Sequence, residues 1–61
     1  MEVKIYLKGQ NAPITYMGDR IDVLDFKMNG VDYKQIRTFK KGFSKSELIE
    51  TKAITRIYEM E

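Results

Sequence analysis

The side chains that most often perform catalysis are scarce in this chain. Its 61 residues include neither histidine nor cysteine, which removes the commonest general bases, the thiolate nucleophile and the usual zinc ligands. Asp19, Asp22 and Asp25 come nearest to a carboxylate cluster. In an extended strand, residues three apart point to opposite sides, so these carboxylates do not converge on one ion. We therefore expect no catalytic residue, no metal, no cofactor and no small-molecule substrate.

A basic segment in the middle of the chain is the clearest candidate for a binding site. From Tyr33 to Ser46 there are five cations and no acid, although the net charge of the whole chain is only +2. Lysine and arginine neutralise phosphates, and an exposed aromatic ring stacks on bases with little sequence preference. The candidate nucleic-acid-binding residues are Arg37, Phe39, Lys40, Lys41, Phe43 and Lys45.

The basic segment has a second interpretation. Lysines beside Gly42 are typical of a solvated turn between strands, and the net charge is lower than that of most nucleic-acid-binding domains. A domain of this size also leaves apolar surface uncovered. We therefore predict a non-catalytic binding module for a protein partner, a second copy of itself included. Sequence-independent nucleic-acid binding through Lys34 to Lys45 is the alternative. Tyr6, between two lysines of the first apolar run, is the candidate partner-binding residue.

The composition indicates one globular unit. With 43% hydrophobic and 33% charged residues, the chain differs from disordered sequences. No linker or repeat interrupts it, so residues 1–61 are predicted to form a single small domain. No segment approaches the roughly 20 apolar residues of a membrane span, and "MEVKIYLKG" lacks the apolar core of a signal peptide. We expect a cytoplasmic protein with no membrane contact.

The elements that must position these residues begin with two predicted strands. "EVKIYLK" alternates, with Val3, Ile5 and Leu7 on one side and polar residues on the other, which predicts a strand over residues 3–8. "PITYM" is interpreted as the next strand, because Pro13 stands at its start, where a missing N–H is tolerated. "GDR" then predicts a turn.

The pair Asn29-Gly30 predicts a hairpin. A two-residue type I′ turn needs a positive φ at both central residues, and asparagine and glycine accept it most readily. The register that follows pairs Asp25 with Lys34, Phe26 with Tyr33, Lys27 with Asp32, Met28 with Val31, and, farther from the turn, Val23 with Ile36 and Ile21 with Thr38. The apolar pairs change side between the tip and the far end. We expect a bend or a bulge there. A flat hairpin with apolar side chains in water is the alternative.

The C-terminal third allows two folds. Ser44 to Glu47 form a capping box, which would give an α+β fold, a β-meander with a C-terminal helix from Ser44. However, the β-branched residues that follow favour strands. "LIETKAITRIYE" resembles the corner of strand, 3₁₀ turn and strand that closes SH3-like and Sm-like barrels. We therefore predict an all-β fold, a small strongly bent antiparallel sheet or an SH3-like/Sm-like barrel of about five strands. The residues expected to enter its core around a turn near Lys52 are Leu48, Ile49, Ile54 and Ile57.

Overall fold

Strands make up nearly all of the fold. A computed structural model describes all residues, 1–61. Its strands are β1 (Glu2–Leu7), β2 (Ile14–Met17), β3 (Arg20–Met28), β4 (Val31–Lys40), β5 (Phe43–Glu50) and β6 (Ile54–Met60), with a 3₁₀ turn at Thr51–Ala53. The all-β prediction is confirmed. The alternative of a helix from Ser44 is wrong, because this residue lies inside β5. No helix in the structure has the length and apolar character needed to cross a bilayer.

The strands form two antiparallel sheets of three, in the orders β2-β1-β6 and β3-β4-β5. There are six strands instead of about five, and Gly18 and Asp19 separate β2 from β3, which belong to different sheets. The N–H of Gly18 donates to the carbonyl of Met1 at 3.2 Å, whereas the N–H of Asp19 donates to the carbonyl of Phe39 at 2.8 Å. "GDR" is therefore a corner and not a reversal. The sheets share no ladder, so the structure shows a small all-β domain without showing a closed barrel.

The β3–β4 hairpin has the predicted turn and register. Asn29 and Gly30 both have positive φ, 51° and 78°. Pairing runs without a shift from Arg20 opposite Phe39 to Met28 opposite Val31. The expected bulge is absent, because no residue is skipped on either strand. The apolar side chains near the turn instead stay on the solvent side, where Phe26 and Met28 are 40% and 45% exposed.

The core lies between the facing sides of the two sheets. Its buried apolar side chains are Val3, Ile5, Tyr16, Ile21 and Ile36. Ile49, Ile54 and Ile57 pack partly buried against them, as the predicted corner requires, and the 3₁₀ turn includes Lys52. The prediction for Leu48 is wrong. It is 43% exposed, because successive residues of β5 point to opposite sides and its neighbour Ile49 takes the inner one.

Candidate binding surfaces

The β3-β4-β5 sheet has an inner face, which carries the core residues Ile21 and Ile36, and an outer face. Side chains alternate between these faces along β4 and β5. The inner face receives Lys40, Phe43 and Lys45, the outer face receives Arg37 and Phe39, and Lys41 lies in the turn between the strands. The six residues predicted as one nucleic-acid site are therefore divided between two surfaces.

On the outer face, the Phe39 ring is already engaged by cations. The guanidinium carbons of Arg20 and Arg37 lie 5.3 and 5.4 Å from its centroid. Arg20 also donates two hydrogen bonds of 3.1 Å to the carboxylate of Asp22. Cation–π contacts of this kind hold the arginines over the ring. Phe39 is half-buried under these groups, which leaves it poorly placed to stack on a base.

The inner-face residues line a groove between β2 and the tip of the β4–β5 hairpin, which we call the basic groove. It has a volume of about 420 Å³ and is lined by Thr15, Tyr16, Met17, Thr38, Lys40, Phe43 and Lys45. Phe43 and Met17 are 61% and 60% exposed. Lys40 takes part in none of the four ion pairs of the structure. Lys45 has its Nζ 3.7 Å from Oε1 of Glu47. The groove thus combines two ammonium groups with open apolar surface.

One hydrogen bond links the two sheets beside the basic groove. The hydroxyl of Tyr16 in β2 donates to Oε2 of Glu47 in β5 at 2.8 Å. Burial raises the pKa of the Tyr16 phenol well above its ordinary value of 10.0, and the hydrogen bond and negative charge of Glu47 raise it further. The phenol therefore remains a donor throughout the neutral range. The hydroxyl of Thr38 nearby is buried without a hydrogen-bond partner.

The edge of β2 beside the basic groove carries unpaired backbone groups. Hydrogen-bonded pairs alternate along an antiparallel ladder. The N–H of Gly18 donates to the carbonyl of Met1, the residue before β1. Tyr16 lies two residues earlier, opposite Val3, so it also directs its backbone groups to β1. Thr15 and Met17 lie between these positions, and they direct their N–H and C=O groups away from β1. No strand pairs with that edge of β2.

The outer face of the β3-β4-β5 sheet carries the largest group of exposed apolar side chains, which we call the apolar face. Leu24, Gln35 and Leu48 stand side by side across the three strands and form its central row. The exposed members of the apolar face are Leu24, Phe26, Met28 and Leu48, each between 40% and 45% exposed. The half-buried Tyr33 pairs with Phe26. The register derived from the sequence already places these side chains on one face. The sequence did not predict an exposed apolar face, because a bend or a bulge was expected to change the buried side along the hairpin.

Tyr6 lies on the solvent side of the β2-β1-β6 sheet, opposite Arg56. The guanidinium carbon of Arg56 is 5.8 Å from the centroid of Tyr6 and 5.4 Å from that of Tyr58. The hydroxyl of Thr55 donates to the carbonyl of Tyr6 at 3.1 Å. Tyr6 therefore has a packing partner, Arg56, that sequence reasoning missed because it depends on the β1–β6 register. The partner-binding role of Tyr6 stays a prediction.

Of Asp19, Asp22 and Asp25, the last two form ion pairs with different cations. Asp22 is bound by Arg20 on the outer face, and Asp25 forms an ion pair with Lys34 across the β3–β4 ladder. No three carboxylates come together where they could hold a metal ion.

No family model, curated protein or solved structure matches this chain.

Proposed function

We propose that this chain is a non-catalytic protein-binding module that self-associates through its apolar face. The observation that carries the proposal is the distribution of apolar side chains. Nine large apolar side chains are exposed, whereas only five residues form the buried core. Four of the nine lie together on the apolar face. Contiguous exposed apolar surface of this kind is typical of an interface and unfavourable in water.

A second copy of the chain fits the apolar face by charge. Arg20 and Arg37 lie at one end of the outer face, and Glu50 lies at the other, opposite Tyr33. The central row is midway between the positions of Arg37 and Tyr33 along β4. A two-fold rotation about that row reverses the strand direction, and it brings Arg37 of one copy over the end that carries Glu50 of the other. The face is therefore complementary to itself, as an isologous dimer requires.

The size of the apolar face suits a reversible dimer. A face three strands wide and nine residues long measures roughly 14 by 30 Å. Stable interfaces bury about 800 Å² of accessible surface on each partner, whereas this face covers roughly 420 Å², which is the size of a weak, transient interface. We therefore expect an equilibrium between monomer and dimer that responds to protein concentration, not a permanent complex.

Nucleic-acid binding through the basic segment has weaker support. The candidate cations are divided between two faces, and Phe39 lies under two arginines. Lys45 is also close to Glu47, which offsets part of its charge. Only Phe43 is an exposed ring beside a lysine without an ion pair, Lys40. This alternative predicts binding that falls steeply with salt.

Sedimentation equilibrium tests the self-association. The wild-type chain and the variant Phe26→Lys are measured from about 1 µM to 1 mM, the range that covers weak to moderate dimers. Wild type should approach twice its monomer mass, and Phe26→Lys should remain monomeric, because the interface would have to desolvate an ammonium group in place of an aromatic ring. Met60→Lys is the matched control, since Met60 is 44% exposed on the other sheet, and it should behave as wild type.

Two results would overturn the proposal. If the wild-type chain stays monomeric over the whole concentration range, the apolar face is not a dimer interface. Equal weakening of association by Phe26→Lys and Met60→Lys would move the contact elsewhere. Circular dichroism of both variants at low concentration establishes that the folded state is retained.

A further inference from the structure

We propose that the basic groove is a second binding site, in which the free edge of β2 takes up an extended acidic peptide segment as an additional strand. This site goes beyond self-association, because it lies at the inner face and at a strand edge, away from the apolar face. Three observations meet there. They are the unpaired backbone groups of β2, the net positive charge of the groove, and the spacing of its lysines.

The backbone of β2 supplies the pairing groups. Thr15 and Met17 direct their N–H and C=O groups away from β1 and towards the groove. Farther along the chain, Asp19 makes the equivalent bond to Phe39 of β4. β4 ends at Lys40 and turns into β5, so no strand continues beside Thr15 and Met17. An added segment would take the place of the missing strand, as in other cases of strand addition.

The side chains over that edge select for negative charge. The groove lining contains Lys40 and Lys45 and no acidic residue, and Lys41 adds a third cation at the adjoining turn. Glu47 is the nearest carboxylate. Its Oε2 accepts the hydroxyl of Tyr16 at 2.8 Å, and its Oε1 is 3.7 Å from Lys45, beyond hydrogen-bonding distance. The ammonium group of Lys45 therefore keeps its donors for an incoming carboxylate.

The spacing of the lysines specifies the sequence pattern of the segment. Thr38 faces Lys45, and Lys40 faces Phe43, so the two lysines are diagonal neighbours on adjacent strands, about 7 to 8 Å apart. Residues i and i+2 of an extended strand lie on one side and are roughly 7 Å apart. Aspartate or glutamate at i and i+2 would therefore meet both lysines together. The exposed Phe43 would cover the apolar stems of these side chains.

A peptide accounts for more of this surface than a nucleic acid does. A single-stranded nucleic acid would use the lysines and the Phe43 ring, but it would leave the hydrogen-bonding groups of Thr15 and Met17 unpaired. An extended peptide uses both.

The test uses three labelled synthetic peptides and one oligonucleotide, measured by fluorescence anisotropy at low salt. The first peptide alternates glutamate and valine over six residues. The second has the same composition, but its glutamates are adjacent. The third has the sequence of the first, with N-methyl groups on the backbone nitrogens of its valines. The valine side chains of this peptide point to the opposite side of the strand from its glutamate side chains. A thymidine oligonucleotide of the same net charge reports nucleic-acid binding. The protein variants are Lys40→Glu and the control Lys52→Glu, a lysine exposed in the 3₁₀ turn.

The alternating peptide should bind, and Lys40→Glu should weaken it about ten-fold or more, because an attraction becomes a repulsion. Lys52→Glu should change the affinity less than about two-fold, since distant exposed charges are screened. Rearranged and N-methylated peptides should both bind several-fold more weakly. Equal binding of the alternating and rearranged peptides would refute the spacing, and unchanged binding of the N-methylated peptide would refute strand addition. Tighter binding of the oligonucleotide than of any peptide would assign the groove to nucleic acid instead. Phe26→Lys should leave peptide binding unchanged, which separates this site from self-association.

Discussion

Gly18 is the residue at which the chain passes from one sheet to the other, and we predict that it tolerates no side chain. A β-carbon placed on Gly18 would lie 2.7 Å from Cγ2 of Thr38 and 2.9 Å from the carbonyl oxygen of Phe39. The carbonyl oxygen cannot yield freely, because it accepts the hydrogen bond from the N–H of Asp19 at 2.8 Å. Thr38 is stiff as well, since it is β-branched and buried. Substitution by alanine must therefore displace backbone at the corner.

The magnitude follows from two opposing terms. Insertion of a methyl group into a close-packed site costs about 1 to 3 kcal/mol. The loss of backbone freedom in the unfolded chain offsets about 0.4 to 1 kcal/mol of this for any replacement of glycine by alanine. The net expectation for Gly18→Ala is a loss of about 1 to 2 kcal/mol. A domain of this length is stable by only about 3 to 9 kcal/mol, so the thermal midpoint should fall by about 5 to 15 °C.

Urea denaturation followed by circular dichroism measures the loss, at a protein concentration low enough to keep the chain monomeric. A double-mutant cycle identifies its cause. Thr38→Ser removes Cγ2 and keeps the hydroxyl, so it should relieve one of the two close contacts of Ala at position 18. Gly18→Ala with Thr38→Ser should therefore be less destabilised than the sum of the two single variants, by about 0.5 kcal/mol or more.

Additive effects would refute the assigned contact with Thr38, even if Gly18→Ala is destabilising. A more serious contradiction would be a stability gain in Gly18→Ala. At a site with open space, alanine stabilises the protein because it reduces the backbone freedom of the unfolded chain. A gain at Gly18 would therefore mean that the two sheets are not packed closely at this corner.

The remaining predictions concern the turn, the link between the sheets and the secondary structure. Gly30→Ala should cost about 1 kcal/mol in urea denaturation, because its β-carbon meets no atom within 4 Å and only the φ of 78° opposes it. Gly30→Asn should restore most of that loss. Tyr16→Phe should cost about 1 kcal/mol at neutral pH by removing the hydrogen bond to Glu47. Folding raises the pKa of Tyr16 above its ordinary 10.0. The protonated phenol therefore stabilises the folded state fully below pH 10, and this stabilisation is lost as the pH rises further. Tyr16→Phe should remove that part of the alkaline destabilisation. Far-UV circular dichroism should show a strand spectrum; a helical content near a quarter of the chain would contradict β5.

The hairpin could be predicted in detail because its turn is a local signal. The two residues Asn29-Gly30 determine the turn type, the turn type determines the register, and the register determines every pair from Met28–Val31 to Ile21–Thr38. The C-terminal corner was predictable for a similar reason, since β-branched residues flank the short polar turn at Lys52. The capping box at Ser44 was a misleading signal. A local capping pattern has little weight where the following residues can pair with a neighbouring strand, as β5 does with β4.

The corner at Gly18 could not be predicted, because its cause is not local. "GDR" has the composition of a turn. In the structure, however, the chain passes here from one sheet to the other, because Gly18 bonds to Met1 and Asp19 bonds to Phe39. The need for glycine arises from the closeness of Thr38, twenty residues later. Only the relative placement of the two sheets shows this need, and no pattern within the segment reports it.

The division of the basic segment, by contrast, was within reach of the sequence. With the hairpin register in hand, Thr38 lies on the side of Ile36, and every second residue from there shares that face. Arg37 and Phe39 then fall on the opposite face from Lys40. Cations that follow one another along a strand are thus divided between the two faces of the sheet. Each face carries about half of the positive charge that the sequence suggests. This is why the groove, with two lysines and a free strand edge, fits two carboxylates on a single extended peptide better than it fits a row of phosphates.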